Sequence, residues 1–168
     1  MTDTSRMTAG LFSNRTDEWG TPRALFAALD AEFHFTLDAC ATPDNAKCPR
    51  FFTMQEDGLK QQWGGSVFVN PPYSKSADWL KKCWQEIQRT DPARPSVIVV
   101  LIPCRTDTRY FHDYCMKSDE IRLIKGRLKY NDEPQSAPFP SGIFIFTGAY
   151  PEGPRLRACD TQGKLLTP

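Results

Sequence analysis

Long apolar runs are missing from this chain of 168 residues; the best, Ser96 to Pro103, is strand-sized and far short of a membrane span. The opening residues, MTDTSRMTAG, lack the continuous apolar segment that a secretion signal needs. The expectation is a cytoplasmic protein with no membrane partner. Paired cysteines are also missing. Cys40, Cys48, Cys83, Cys104, Cys115 and Cys159 are scattered with no C-x-x-C, which argues against a disulfide framework. His34, Cys40 and Cys48 lie near one another but match no zinc spacing, so no metal is expected and the thiols read as small buried hydrophobes. An excess of charge of one sign is absent as well. With a net charge of +1 there is no global basic field, although a local basic surface is enough for brief contact with DNA.

What is present is ordinary for one soluble domain: 40% hydrophobic and 24% charged residues, with no internal repeat. Residues 1–15 are small and polar without periodicity and read as a flexible lead. The segment WGTPRALFAALDAEF then predicts a helix, with Thr21 capping, Pro22 at the first helical position, and Leu25, Phe26 and Leu29 at helical spacing. FHFTLDACA predicts a short buried strand ending at Asp38 or Ala39, and RFFT a possible second strand.

SVFVN (66–70) predicts a strand and residues 74–90 an amphipathic helix that turns Trp79, Leu80, Cys83, Trp84 and Ile87 to one face. The β-branched run SVIVVLIP predicts a strand buried on both faces. TDTRYFHDYCM predicts another helix, capped by Thr106 or Asp107. EIRLIKGRLKY (120–130) reads as a strand, a turn and a second strand, and IFIF (143–146) as the last strand. A single domain is thus assigned to residues 16–150, with 151–168 a peripheral tail rich in Pro, Gly and charge. Alternation of strands and helices predicts an α/β fold: an open, mixed, mainly parallel sheet flanked by helices, with ligands beyond the carboxyl ends of the strands. Asp38-Ala39-Cys40 and Asn70-Pro71-Pro72-Tyr73 both fall at such ends.

The second of these stretches carries the chemistry. Two prolines fix the backbone and remove two N–H donors, and the residue before each is held extended. The carbonyls of Asn70 and Pro71 can then point into the space above the sheet, beside the Asn70 side-chain oxygen. One planar NH2 could give a hydrogen to each of two such acceptors, and the Tyr73 ring could stack on the heterocycle that bears it. Drawing on both hydrogens frees the nitrogen lone pair for attack. By itself an NPPY tetrapeptide also reads as a rigid turn.

In these residues the chain resembles the amino-group methyltransferases whose catalytic signature is [DNS]-P-P-[YFW], and more closely the small phage and prophage DNA N6-adenine methyltransferases. The likeness runs through EWGTPRALFAALDAEF, FTLDACAT, NAKCPRFFT, DGLKQQWGGSVFVNPPYS, IKGRLKY and FPSGIFIF. The resemblance implies a single Rossmann-like domain that moves a methyl from S-adenosylmethionine to the N6 amine of a flipped adenine in double-stranded DNA. It also implies a bacterial cytoplasm as the setting. Asn70, Pro71, Pro72 and Tyr73 match the catalytic tetrapeptide. Asp38, Ala39, Cys40 and Ala41 match the first-strand loop around the cofactor, and Trp19, Thr21 and Pro22 the element near its methionine end. Asp57 matches a contact to the cofactor adenine, with Leu59 nearby.

The pattern departs from the family in three ways. No G-x-G follows the first strand, too few residues separate Ala39 from Phe52 for a helix, and no separate target-recognition domain is visible. Asp44 is a candidate for the ribose hydroxyls. Arg105 and Arg109, after the buried strand, and Lys125, Arg127 and Lys129, alternating with Arg122 in the expected hairpin, are candidates for DNA phosphates; a solvated, charged edge is the plainer explanation of the hairpin group. Trp79, Trp84, His34 and His112 read as structural. Other planar amines (cytosine N4, RNA adenine, a protein glutamine) and a catalytically silent DNA-binding or regulatory module remain alternative readings.

Overall fold

The computed structural model describes residues 19–149 and 152–167. The expected lead, residues 1–15, lies outside the described residues. Helix α1 (Arg23–Phe33) precedes strands β1 (Leu37–Asp38) and β2 (Gly65–Val69), followed by α2 (Ser76–Ile87), β3 (Pro95–Pro103) and the short α3 (Arg109–Asp113). Strands β4 (Glu120–Ile124), β5 (Ser141–Phe146) and β6 (Arg155–Cys159) complete the order. Among the described residues the strands form a six-stranded sheet ordered β1-β2-β3-β5-β4-β6. The pairs β1–β2, β2–β3 and β4–β6 are parallel, and β5 runs antiparallel to both β3 and β4. The fold is therefore α/β, with a mixed, mainly parallel sheet of the Rossmann-like kind.

Strand periodicity sorts the core into two layers. Val67, Val69, Ile98, Val100, Phe144 and Phe146 face α2, which contributes Trp79, Leu80, Cys83 and Ile87. Phe68, Val99, Leu101, Ile143 and Ile145 face the opposite way, onto Leu25 and Leu29 of α1. Strand β3 is buried along both faces from Ile98 to Pro103, as its unbroken β-branched run requires. Removing a fully buried side chain such as Leu80 would cost about 2–5 kcal/mol.

Several local expectations are corrected. RFFT makes only a single parallel bridge, Asp38 to Phe51, because the loop between β1 and it is a tight turn rather than a helix. No hairpin follows β4: residues beyond Ile124 leave the sheet, and Leu128 and Tyr130 turn into the core layer of α1 instead of pairing. Arg122, read as one of the alternating surface cations, is 2% exposed and bonded to Glu32 and Glu120, so it serves the fold and not a phosphate. Helix α3 starts after Thr108, not Thr106 or Asp107. The tail is not merely appended; its Arg155–Cys159 stretch is the edge strand β6. No helix among the described residues is long and apolar enough to cross a membrane.

Candidate functional site

At the carboxyl end of β2 the chain leaves the sheet through Asn70, Pro71 and Pro72 and enters a turn of 3-10 helix, Tyr73–Lys75, that feeds α2. Neither proline has an N–H to lose, so the break in the ladder leaves no donor stranded there. The Asn70 carboxamide is held from the other side of the sheet end. Its Nδ2 donates to the Trp19 carbonyl (2.5 Å) and to Thr21 Oγ1 (2.9 Å), while its Oδ1 accepts from the Tyr73 hydroxyl (3.1 Å). A carbonyl partner can only accept, so it fixes which end of the amide is nitrogen and turns Oδ1 toward Tyr73. Thr21 therefore does not cap α1. Pro22 occupies the cap position without a side-chain bond, and the Arg23 N–H is met by Asp132 Oδ1 (3.2 Å).

A cavity of about 300 Å³ opens beside this corner. Its wall brings together Trp19, Thr21, Asp38, Ala39, Cys40, Ala41, Asp57, Leu59, Asn70, Pro71 and Pro72, which the sequence had assigned to catalysis or cofactor. Pro22 and Tyr73 are not part of that wall. Pro22 is buried at the start of α1, and Tyr73 belongs to an aromatic cluster next to it. Asp44 is exposed and also outside the wall, which its neighbour Asn45 joins instead; the suggested ribose contact loses its support.

The two carboxylates in the wall differ. Asp38 is 3% exposed and accepts from the backbone N–H groups of Lys47 (3.0 Å) and Cys40 (3.4 Å), so it shapes the loop after β1. Burial pushes its carboxyl up to about 6, and the two N–H donors and the Lys47 charge offset only part of that. The same burial, with the Asp38 charge beside it, pushes the Cys40 thiol up to about 12, so it is no nucleophile at neutral pH. Asp57 sits in a turn with φ of 54° and pairs with Lys60 at 3.0 Å, which holds it below the usual carboxylate range. The next residue has to be glycine. A Cβ on Gly58 would meet the Ala39 carbonyl oxygen at 2.2 Å, so the two walls of the cavity touch there, backbone to backbone.

Sequence reasoning missed other wall residues: Asn45, Lys47, Phe52, Met54 and Lys75. Trp79, read as core, serves both core and wall. It also missed the aromatic cluster. Trp19 lies nearly parallel to Tyr73 (centroids 6.5 Å, 11°), and Tyr130 and Phe139 set their edges against both rings. Tyr130 and Phe139 come from the segment between β4 and β5; they end IKGRLKY and begin FPSGIFIF, stretches that entered the family likeness with no role assigned to either ring.

The cations sort by sheet geometry. Strands β2, β3 and β4 share one carboxyl edge, since β5 runs antiparallel to both β3 and β4 and so leaves those two pointing the same way. Arg105 and Arg109 follow β3, and Lys125, Arg127 and Lys129 follow β4; all five are exposed beyond the edge that carries Asn70. Among the described residues no cluster of His, Cys, Asp and Glu could hold a metal ion, and the six cysteines are free.

Known proteins share this arrangement of sequence. A family model described as DNA N-6-adenine-methyltransferase (Dam) matches residues 9–145. A DNA N-6-adenine-methyltransferase of Escherichia phage T1 is 30% identical over 115 residues, covering 67% of this chain and 46% of the phage protein. YfdM of Escherichia coli (strain K12) is 35% identical over 65 residues, 34% of this chain and 71% of that protein. The chain thus spans less than half the length of the phage T1 relative.

Proposed function

Because the chain belongs to the DNA N-6-adenine-methyltransferase (Dam) family, we propose that it transfers a methyl group from S-adenosylmethionine to the N6 amine of adenine in DNA. One observation carries this reading: Asn70 lines the cavity with its amide nitrogen pinned by Trp19 and Thr21, and its oriented oxygen, which accepts from the Tyr73 hydroxyl, keeps a second lone pair for an incoming N–H. The donor set of that cavity suits the cofactor. Asp38 and Asp57 would supply carboxylates for its cationic and hydroxyl-bearing parts, Lys75 a cation for its carboxylate, and Phe52, Leu59 and Trp79 apolar surface for a flat heterocycle. When bound, the cofactor supplies an electrophilic methyl on sulfur.

The residues of the chain do the rest. A base inside a duplex cannot reach this corner, so the adenine leaves the stack, at a cost of a few kcal/mol. Stacking against an aromatic ring is worth about 1–3 kcal/mol per base, and Tyr73, its plane held by Tyr130 and Phe139, supplies that face. One N6 hydrogen goes to Asn70 Oδ1, which has a second lone pair beside the one used by Tyr73, and the other to the Pro71 carbonyl. With both hydrogens engaged, the nitrogen lone pair would be free to take the methyl that the cofactor would supply from its sulfur, and the surplus proton would pass to solvent. Exposed Arg105, Arg109, Lys125, Arg127 and Lys129 hold the flanking phosphates. Acting on DNA, the protein works in the cytoplasm of a bacterial cell.

The test exposes duplex DNA to the protein with methyl-labelled cofactor and maps the label by nucleoside analysis. The expected product is N6-methyladenine. Label on cytosine, on RNA alone, on protein, or nowhere would refute the proposal.

A further inference from the structure

We propose that Asn131, in the turn after Tyr130 and outside the cavity wall, is a positioning residue that sets the orientation of the Asn70 carboxamide through the backbone of Gly20. The inference rests on the reading of Asn70 as the acceptor of the target amine. Asn131 grips the Gly20 residue twice: its Oδ1 accepts the Gly20 N–H at 2.9 Å, and its own N–H donates to the Gly20 carbonyl at 2.7 Å. The residues on either side of Gly20 are Trp19 and Thr21, whose carbonyl and hydroxyl are the two acceptors that hold Asn70 Nδ2. A displacement of Gly20 therefore moves both anchors of the amide at once.

The turn is built for this grip. Asn131 and Asp132 both adopt left-handed backbone, at φ of 58° and 56°. Two consecutive non-glycine residues in that region are held only where the surroundings fix them. Asp132 uses its position to meet the Arg23 N–H and Nε, and so accounts for the helix end without help. Asn131 contributes nothing to that cap; its side-chain oxygen and its N–H both go to Gly20. The contact also demands glycine on the other side, because a Cβ at position 20 would meet Asn131 Oδ1 at 2.2 Å.

Three variants separate the grip from its backbone. Asn131→Gly keeps the left-handed turn and the main-chain donor but loses the side-chain acceptor. Asn131→Asp keeps acceptor and turn, and Gly20→Ala blocks the contact from the opposite side. The first readout is the Asn70 side-chain NH2 pair in ¹⁵N-resolved NMR, assigned by its loss in Asn70→Ala; the second is kcat and KM for methyl transfer to duplex DNA. Asn131→Gly and Gly20→Ala are expected to shift the Asn70 pair and to lower kcat by about 10- to 100-fold, since small misplacements of reacting groups cost that much. In Asn131→Gly, which leaves the cavity wall untouched, KM for DNA and cofactor should stay within about twofold, and Asn131→Asp should restore both readouts.

An unmoved Asn70 pair in both disrupting variants overturns the proposal, as does a kcat loss that Asn131→Asp shares equally. A shifted pair in a protein whose wild type methylates no DNA supports the grip and refutes the methyltransferase reading, so the two failures are told apart.

Discussion

Asp38 makes the fold more stable in mild acid, and its size and sign can be worked out. The carboxyl is 3% exposed and pushed from 3.8 up to about 6, chiefly by burial. At 1.36 kcal/mol per pH unit, a displacement of that size is worth about 3 kcal/mol. The unfolded chain ionises this group near its ordinary value, while the folded chain keeps the proton until about 6. Folding stability from this group is therefore full below about pH 4 and is lost as the pH rises toward 6, the reverse of a paired carboxylate. Asp38→Asn removes the titration and retains one acceptor for the Lys47 or Cys40 N–H.

The unfolding free energy of the variant minus that of wild type should climb by about 2–3 kcal/mol between pH 4 and 7, read from urea denaturation at four pH values. Parallel curves would refute the reasoning. The same group links to the proposed cofactor. A positive charge in the cavity favours the ionised carboxylate, so binding near pH 6 should release a proton and tighten as the pH rises. Calorimetry in buffers of different ionisation enthalpy reads that proton directly, and a buffer-independent heat would remove Asp38 from the cofactor's vicinity.

Three further outcomes are expected. Asn70→Ala should lower methyl transfer by at least about a hundredfold with cofactor affinity nearly intact, as for loss of an oriented charge-stabilising group; turnover at the wild-type rate would end its assigned role. Tyr73→Ala should cut kcat/KM on duplex DNA by about 5- to 150-fold, the equivalent of one stacking interaction, and Tyr73→Phe should recover most of it; equal losses in both would point to the hydroxyl instead. Replacing Lys125, Arg127 and Lys129 with Gln should flatten the log–log salt dependence of DNA binding by about 0.9 for each phosphate no longer neutralised; an unchanged slope means that this edge does not meet phosphate.

The sequence made the alternating strands and helices legible because each buried face leaves a period. Phe68 against Val67 and Val69 already says which residues face α1 and which α2. It failed where an element owes its form to a distant partner. EIRLIKGRLKY alternates well enough for a hairpin, yet Leu128 and Tyr130 gain more by filling the layer under α1 than by pairing. Strand β6 went unseen because Arg155, Leu156 and Arg157 are all exposed at the sheet edge, so burial imprints no alternation there. In the site, the proline corner was readable because its stiffness is local. Thr21 was misassigned as a helix cap because the group that claims its hydroxyl is 49 residues away.

That split between local and distant causes bears on how the site is made. The prolines fix where the Asn70 backbone leaves β2, but not how its amide is rotated. Rotation is set by anchors at Trp19 and Thr21, and their placement by a turn 111 residues further along the chain from Gly20. Along the chain β1, β2, β3 and β4 lie between Gly20 and this turn, so the amide acquires its orientation only once the sheet has formed and α1 has docked on Phe68, Val99 and Leu101. An isolated segment containing NPPY would keep its bend and lose its aim. Stability and catalysis are therefore coupled through α1: a substitution such as Leu29→Ala, remote from the cavity, loosens the helix that directly follows the two anchors, Trp19 and Thr21. Its effect on kcat should exceed what the fraction of unfolded protein predicts, with that fraction taken from urea denaturation at the assay temperature. A loss of kcat that matches the unfolded fraction would mean that the helix can loosen without moving the amide.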